Sequence, residues 1–508
     1  MNSRTKNSIK NVKYGIIIQL LLILINFISR TIFIKILGSD YLGINGLYTN
    51  ILTVLSLAEL GFGNAIIYSM YKPLASSDNK KLSALMNFYK RIYNIVILII
   101  FIAGILIVPF LQYLINTNLD INLLRIYYVL FLLNTVSSYI YAYKFTILQA
   151  DQKIYIIKLY HFWTVVLQFV LQTIFLIATK NYIIYLIIQI LCTLANNIGL
   201  NIKINKMYKD INNEKEVLTK TEKKEIYSNV ASTFIQKTSG IIVSNTDNIL
   251  ISILVGTVWV GYYSNYFLII SAITSIITIL FNSISASIGN LTTEANSNKQ
   301  CTILSNMTFI AFWICGVCSL CCYYLFNDFI YLWLGKEFVL SEIIVLVIVI
   351  NFYSTGILNP IWTFRDATGL FKDTKYASLL LAVINLILSI ILGKVWGLFG
   401  ILVATVIARM ITTFWFTPYM LYKKKFNMSS NKYFFKQFIY ILSIVITYLI
   451  ILPINKSIEV NNYVMFFIKA FIEFVVINII FLIMYCKTKD FKDIYERFIR
   501  KQIMKLKN

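Results

Sequence analysis

The sequence has one histidine and five prolines, and its 22 acidic residues face 46 lysines and arginines. The single histidine, His161, opens an apolar stretch and reads as an amphipathic anchor at a membrane interface. It rules out a site built on several imidazoles. Cysteine is also sparse, at seven, and four of these (Cys315, Cys318, Cys321 and Cys322) fall on one side of a single apolar helix with no histidine nearby. Zinc ligands usually come from loops and separated elements, so these thiols read as small packing residues, and neither metal nor cofactor is expected. Only 13% of the residues are charged against 58% hydrophobic, which excludes a soluble protein. There is no G-x-S-x-G element and no loop bearing paired carboxylates. The longest outer connection, Asn327 to Glu337, is short for an active-site loop, so catalysis is not expected.

The apolar residues come in blocks of membrane-spanning length. We count fourteen spans, and those at 41–70, 258–289 and 338–364 are long enough to require tilt or kinking. The net charge of +24 suggests nucleic acid until the charges are placed. With the N-terminus in the cytoplasm, cytoplasmic segments hold 36 of the 46 basic residues, beside span ends and not in one aromatic-interleaved patch. That is the positive-inside bias, and it puts both termini in the cytoplasm of a multi-pass cell-membrane protein. No nucleic-acid partner is expected. The first span is too long for a signal peptide and lacks a small-residue cleavage site.

Internal matches divide the chain. Leu37-Gly38, Gly43 and Tyr48 recur as Val255-Gly256, Gly261 and Tyr266, all at an offset of 218 residues. A weaker echo pairs Lys180 with Lys394 and Tyr208-Lys209 with Tyr422-Lys423 at an offset of 214. A duplicated six-span unit follows, with both copies in the same orientation because the span number is even. The expected organisation is an N-lobe over 1–204, a cytoplasmic linker over 205–227, a C-lobe over 228–422, and two added spans with a basic cytoplasmic tail over 423–508. Substrate sites in such duplicated transporters lie between the repeats.

Several polar residues sit inside these spans. Arg30 lies well inside the first span, where a cation costs roughly 2.5–3.5 kcal/mol on insertion scales. It shares a helical stripe with Asn26 and Gln19. The second span carries Glu59. The seventh is polar along Thr233, Lys237, Gly240, Ser244 and Asp247, and the eighth adds Asn265, Ser271, Thr274, Thr278, Asn282 and Ser285. For Arg30 and Lys237 we read a hydrated vestibule lined by cations. The Ser and Thr residues read as hydrogen-bonded glue between helices. The offset of 218 places Ser29 on Asp247, so Asp247 is expected at the depth of Arg30, paired with Arg30 first or Lys237 second. Arg409 serves either as a further anion contact or as the neutraliser of Glu59 or Asp247. Lys469 and Glu473, four residues apart, read as an intrahelical ion pair.

Residues Arg30 to Tyr71 carry a resemblance. Above all Leu37-Gly-Ser-Asp-Tyr-Leu-Gly-Ile-Asn-Gly-Leu-Tyr and Ala58-Glu-Leu-Gly-Phe-Gly-Asn-Ala-Ile, followed by Tyr71-Lys-Pro-Leu, resemble polysaccharide flippases of the Wzx type. These belong to the multidrug/oligosaccharidyl-lipid/polysaccharide exporter (MOP) superfamily. The likeness extends over the whole chain in span count and layout. It implies an all-α, MATE-like fold: two pseudo-symmetric six-helix lobes plus two C-terminal helices. It implies alternating-access export of an undecaprenyl-diphosphate-linked oligosaccharide for capsule, O-antigen or exopolysaccharide. The implied partners are that lipid-linked oligosaccharide, membrane lipid, a coupling ion (proton or sodium) and polysaccharide polymerase machinery. Related lipid II flippases use cavity arginines for the diphosphate, and Arg30 matches their first-span arginine by position. Arg30, Lys237 and Arg409 are accordingly expected on the diphosphate, with Asn26, Glu59, Asp247 and Asn265 as cavity or gating residues. A multidrug or organic-cation exporter of the MATE type stays open as an alternative and calls for a cavity acid. A membrane glycan enzyme calls for an active loop.

Overall fold

In the computed structural model the protein is all-α, and no strand occurs among the described residues, which are 3–59, 62–209, 217–291 and 297–496. The chain forms two compact units, Met1–Gly261 and Tyr262–Asn508. The first contains α1 (Ser3–Leu37), α2 (Ser39–Leu55), a 3₁₀ turn (Ser56–Glu59), α3 (Phe62–Ala75), α4 (Asn79–Ile107), α5 (Leu111–Leu114), α6 (Ile121–Tyr139), α7 (Ala142–Ala150), α8 (Ile154–Thr179), α9 (Tyr182–Met207) and α10 (Lys220–Leu254). Helix α11 (Thr257–Leu291) begins there. In the second follow α12 (Ser297–Leu334), α13 (Glu342–Gly356), α14 (Asn359–Ala367), α15 (Phe371–Ile411), α16 (Thr413–Leu421), α17 (Asn431–Ser457), α18 (Tyr463–Tyr485) and α19 (Lys489–Ile494). Helix starts carry the side chains that satisfy orphan amides. Asp78 caps α4 at 2.9 Å, Asp120 caps α6 at 3.0 Å, Asn181 caps α9 at 2.8 Å and Asn462 caps α18 at 2.9 Å. Thr219 and Glu222 form a reciprocal capping box at the start of α10, and Lys81 pairs with the same Glu222.

Eleven segments among the described residues are long and apolar enough to cross a membrane, and this is a multi-pass membrane protein. The difference from the fourteen expected spans has local causes. The segment Asp373–Phe426 is 54 residues long and contains two passes, broken where Gly397 leaves helical geometry at φ 57°. The expected second span is divided into α2, the Ser56–Glu59 turn and α3, and α2 has only 17 residues. The expected seventh lies in α10, whose Lys- and Glu-rich first turns dilute its apolar run. The long tenth span also breaks, between α13 and α14 beside Pro360, whereas the long eighth continues as one 35-residue helix, α11.

The residues matched across the 218-residue offset do the same work in each copy. Gly38 and Gly256 both take positive φ, 88° and 136°, immediately before α2 and α11, a conformation that glycine adopts without a Cβ penalty. Tyr48 and Tyr266 are both fully buried. Tyr48 donates its hydroxyl hydrogen to the Leu124 carbonyl at 2.8 Å. The Tyr266 hydroxyl accepts from the Leu340 amide at 2.9 Å and donates to Asn327 Oδ1 at 2.7 Å. Leu124 and Leu340 stand at the start of the fourth expected span of each half. Gly43 and Gly261 meet each other's helices within the first unit. A Cβ on Gly43 would strike the Thr257 carbonyl, and one on Gly261 would lie 2.8 Å from the Ser39 carbonyl. Ser39 and Thr257 are themselves offset partners, so the contact is reciprocal.

Candidate functional site

Arg30 is half-buried on α1, the helix that packs along α8. Its guanidinium lies within electrostatic range of the Tyr185 hydroxyl, which is also hydrogen-bonded by Ser29. Tyr185 belongs to an aromatic cluster. Phe33 meets Tyr185 edge-on at 5.2 Å and Tyr182 at 5.7 Å, and Tyr182 in turn meets Tyr41 at 5.2 Å and Tyr127 at 4.9 Å. The cation thus has a tyrosine hydroxyl within electrostatic range, and that tyrosine belongs to a wider aromatic cluster. Asn26, on the same stripe, is exposed. A guanidinium fork can bind two oxyanion oxygens at once, and tyrosines offer hydroxyls and ring faces.

Glu59 ends the 3₁₀ turn after α2, and its environment is tyrosine. Tyr93 donates its hydroxyl to Glu59 Oε1, Tyr89 donates to Tyr93 at 3.1 Å, and Tyr139 lies within electrostatic range of the carboxylate. The rings of Tyr89 and Tyr93 sit 4.6 Å apart. A relay of two phenols therefore ends on this acid, with a third phenol nearby. The Tyr89–Tyr93 spacing of four residues was a visible signal that the pair shared a helix face, but the acid it serves lies 34 residues from Tyr93 in sequence.

Asp247 is buried on α10, which packs against α2 and α3. Lys237 is on the same helix, and its side chain and that of Thr233 lie outside the described residues. Ten helical residues separate Lys237 from Asp247, about 15 Å of rise, which is beyond direct pairing along one helix. Asn265, fully buried on α11, takes the position of Leu47 in the first copy. Arg409, buried near the end of α15, donates from Nη1 to Ser354 Oγ at 2.6 Å, to the Asn351 carbonyl at 3.2 Å and to Asn351 Oδ1 at 3.3 Å. These bonds fasten α15 to α13. The hydroxyls of Ser244, Ser271 and Thr278 bond carbonyls of their own helices, at 2.9, 2.9 and 2.8 Å, and among the described residues none of the three is seen to bond a neighbouring helix; the side chains of Asn282 and Ser285 lie outside the described residues.

Lys469 also departs from expectation. Its ammonium pairs with Asp328 of α12 at 2.7 Å, not with Glu473 one turn along its own helix. Among the cysteines, Cys315 packs tightly on Gly356, joining α12 to α13. His161 is exposed on α8.

No protein-family model matches the chain, and no match is found among curated proteins. Solved structures do match its fold. The lipid II flippase MurJ in an inward closed conformation superposes with a TM-score of 0.68 at 18% identity, covering 93% of this chain and 99% of that one. An inward-facing multidrug resistance MATE family transporter of the MOP superfamily gives 0.57 at 16% identity, over 78% of this chain and 94% of that one. A mutant of the Vibrio cholerae MATE transporter VcmN gives 0.59 at 13%, over 84% and 99%. The protein has the fold that these flippase and transporter structures share.

Proposed function

We propose that the protein is a flippase of the MOP superfamily that moves a polyprenyl-diphosphate-linked oligosaccharide across the cytoplasmic membrane. It moves the substrate without altering it, by alternating access, and acts upstream of polysaccharide polymerisation. The observation that carries this reading is Arg30, a half-buried cation in a membrane helix, set beside Tyr185 and its aromatic cluster. A diphosphate is a fitting counter-charge in a low-dielectric setting, where charge-assisted bonds are strong. The fold supports it as well. The lipid II flippase covers 93% of the chain against 78% and 84% for the two MATE structures, as the added helices α17 and α18 would lead one to expect. In this reading Arg30, Lys237 and Arg409 contact the diphosphate, and Asn26, Glu59, Asp247 and Asn265 line or gate the path.

A deletion strain tests it. Completed lipid-linked repeat units are expected to build up on the cytoplasmic leaflet while surface polysaccharide disappears and the upstream glycosyltransferases stay active. Single repeat units exposed outside but left unjoined would mean a polymerase. Normal polysaccharide with raised sensitivity to organic cations would favour the exporter reading, for which the buried carboxylate of Asp247 is the supporting feature. Orientation is checked separately. Reporters fused within the 205–227 segment and after Asn508 are both expected to face the cytoplasm, and an external signal from either overturns the assignment.

A further inference from the structure

Glu473 stands on α18 with no exposed surface, and neither carboxyl oxygen has a hydrogen-bond partner. Few buried polar groups in native proteins are left this way, and an ionised carboxylate so placed costs several kcal/mol. The groups around it do not relieve that cost. Lys469, one turn earlier on α18, is itself buried and is committed to Asp328 at 2.7 Å. From α12, Asp328, Tyr324 and Cys321 lie within electrostatic range of Glu473. The Tyr324 hydroxyl is engaged elsewhere, donating to the Tyr448 carbonyl of α17 at 2.6 Å, and the Tyr448 ring stacks on Tyr324 at 5.6 Å. Cys321 offers only a weak thiol donor. One cation thus faces two acids, and it has chosen the outer one, Asp328, whose side chain is 31% exposed.

We propose that Glu473 is a proton-binding site, and that Lys469 turns from Asp328 to Glu473 when the proton leaves. In the arrangement seen here Glu473 is the neutral acid and the Lys469–Asp328 pair balances itself. On release, the O–H bond of Glu473 breaks and the proton passes to water on the Asp328 side. Lys469 remains an ammonium, and the three groups together go from neutral to one negative charge. The spacing of four residues on one helix brings the ammonium within reach of the new carboxylate, while Asp328 is left where water can solvate it. A proton fits this site better than a metal ion, because the Lys469 ammonium already neutralises Asp328 and no third acid, histidine or thiol joins the two carboxylates as a metal-binding group among the described residues. The exchange would alter how α18 packs on α12.

The test is infrared difference spectroscopy of the full-length protein in lipid, between acid and alkaline buffer. The wild type is expected to lose the carbonyl band of a buried carboxylic acid as the pH rises, and Glu473→Gln is expected to lack that band throughout. Asp328→Asn frees Lys469 for Glu473, so in that variant the band should vanish at lower pH than in the wild type. A band that persists in Glu473→Gln, or a midpoint unmoved in Asp328→Asn, overturns the proposal, and the second variant decides the matter if the first does not reach the membrane. Neither measurement uses a lipid-linked substrate, so the result stands apart from the flippase reading.

Discussion

Arg30→Ala is expected to abolish export while leaving the protein in the membrane at near-normal abundance. The side chain is half-buried on a helix with one apolar exposed stripe, Ile17, Leu20, Leu21, Leu24 and Ile28, and it does not belong to the fully buried core, so its removal opens no enclosed core cavity. What is lost is a guanidinium beside Tyr185. Each hydrogen bond to a charged group contributes roughly 1.5–3 kcal/mol, so losing one or two from a bound diphosphate reduces transport by about 10- to 10,000-fold. Arg30→Lys keeps the charge but replaces a planar fork with a point charge, and partial recovery at most is expected. Translocation of a labelled lipid-linked oligosaccharide in reconstituted vesicles, with membrane abundance measured in parallel, separates transport from folding. Unimpaired flipping by Arg30→Ala would sink the role assigned to it.

The parts of this protein legible in its sequence are those set by backbone constraint. A positive-φ turn tolerates little but glycine, a close helix crossing has no room for a Cβ, and a buried tyrosine needs one specific acceptor. Gly38 and Gly256, Gly43 and Gly261, and Tyr48 and Tyr266 therefore appear at one offset and keep matched roles. Span number was legible for the same kind of reason, since a bilayer demands a minimum apolar length. Charge partners were not legible. Lys469 reaches Asp328, 141 residues away in sequence, in preference to Glu473 on its own helix. The acid Glu59 is met by tyrosines from α4 and α6, and among the described residues no ion pair to it is seen. Helical periodicity says which residues share a face, but which neighbouring helix covers that face depends on tertiary packing. Arg30 was found because a cation inside a membrane span is costly whatever surrounds it; the aromatic cluster beside it, drawn from α1, α2, α6 and α9, carried no comparable signal.

Gly43→Ala is expected to be among the most damaging single substitutions in the first unit, although it adds one methyl group. In an open helix position the change would be favourable, since alanine exceeds glycine in helix propensity by about 1 kcal/mol. At Gly43 the new Cβ is directed at the Thr257 carbonyl, a backbone atom that no rotamer change can move. The α2–α11 crossing must open, and with it the reciprocal approach of Gly261 to Ser39. Overpacking of this kind costs typically 1–3 kcal/mol, and more where the obstruction is backbone, so the thermal midpoint should fall by on the order of 5 °C. Gly240 on α10 supplies the contrast. A Cβ there meets nothing within 4 Å, so Gly240→Ala is expected to be neutral or mildly stabilising. Thermal unfolding of the two purified variants in the same detergent makes the comparison. Equal midpoints would mean that the crossing yields to a methyl group and that Gly43 and Gly261 do not hold these two helices at close approach.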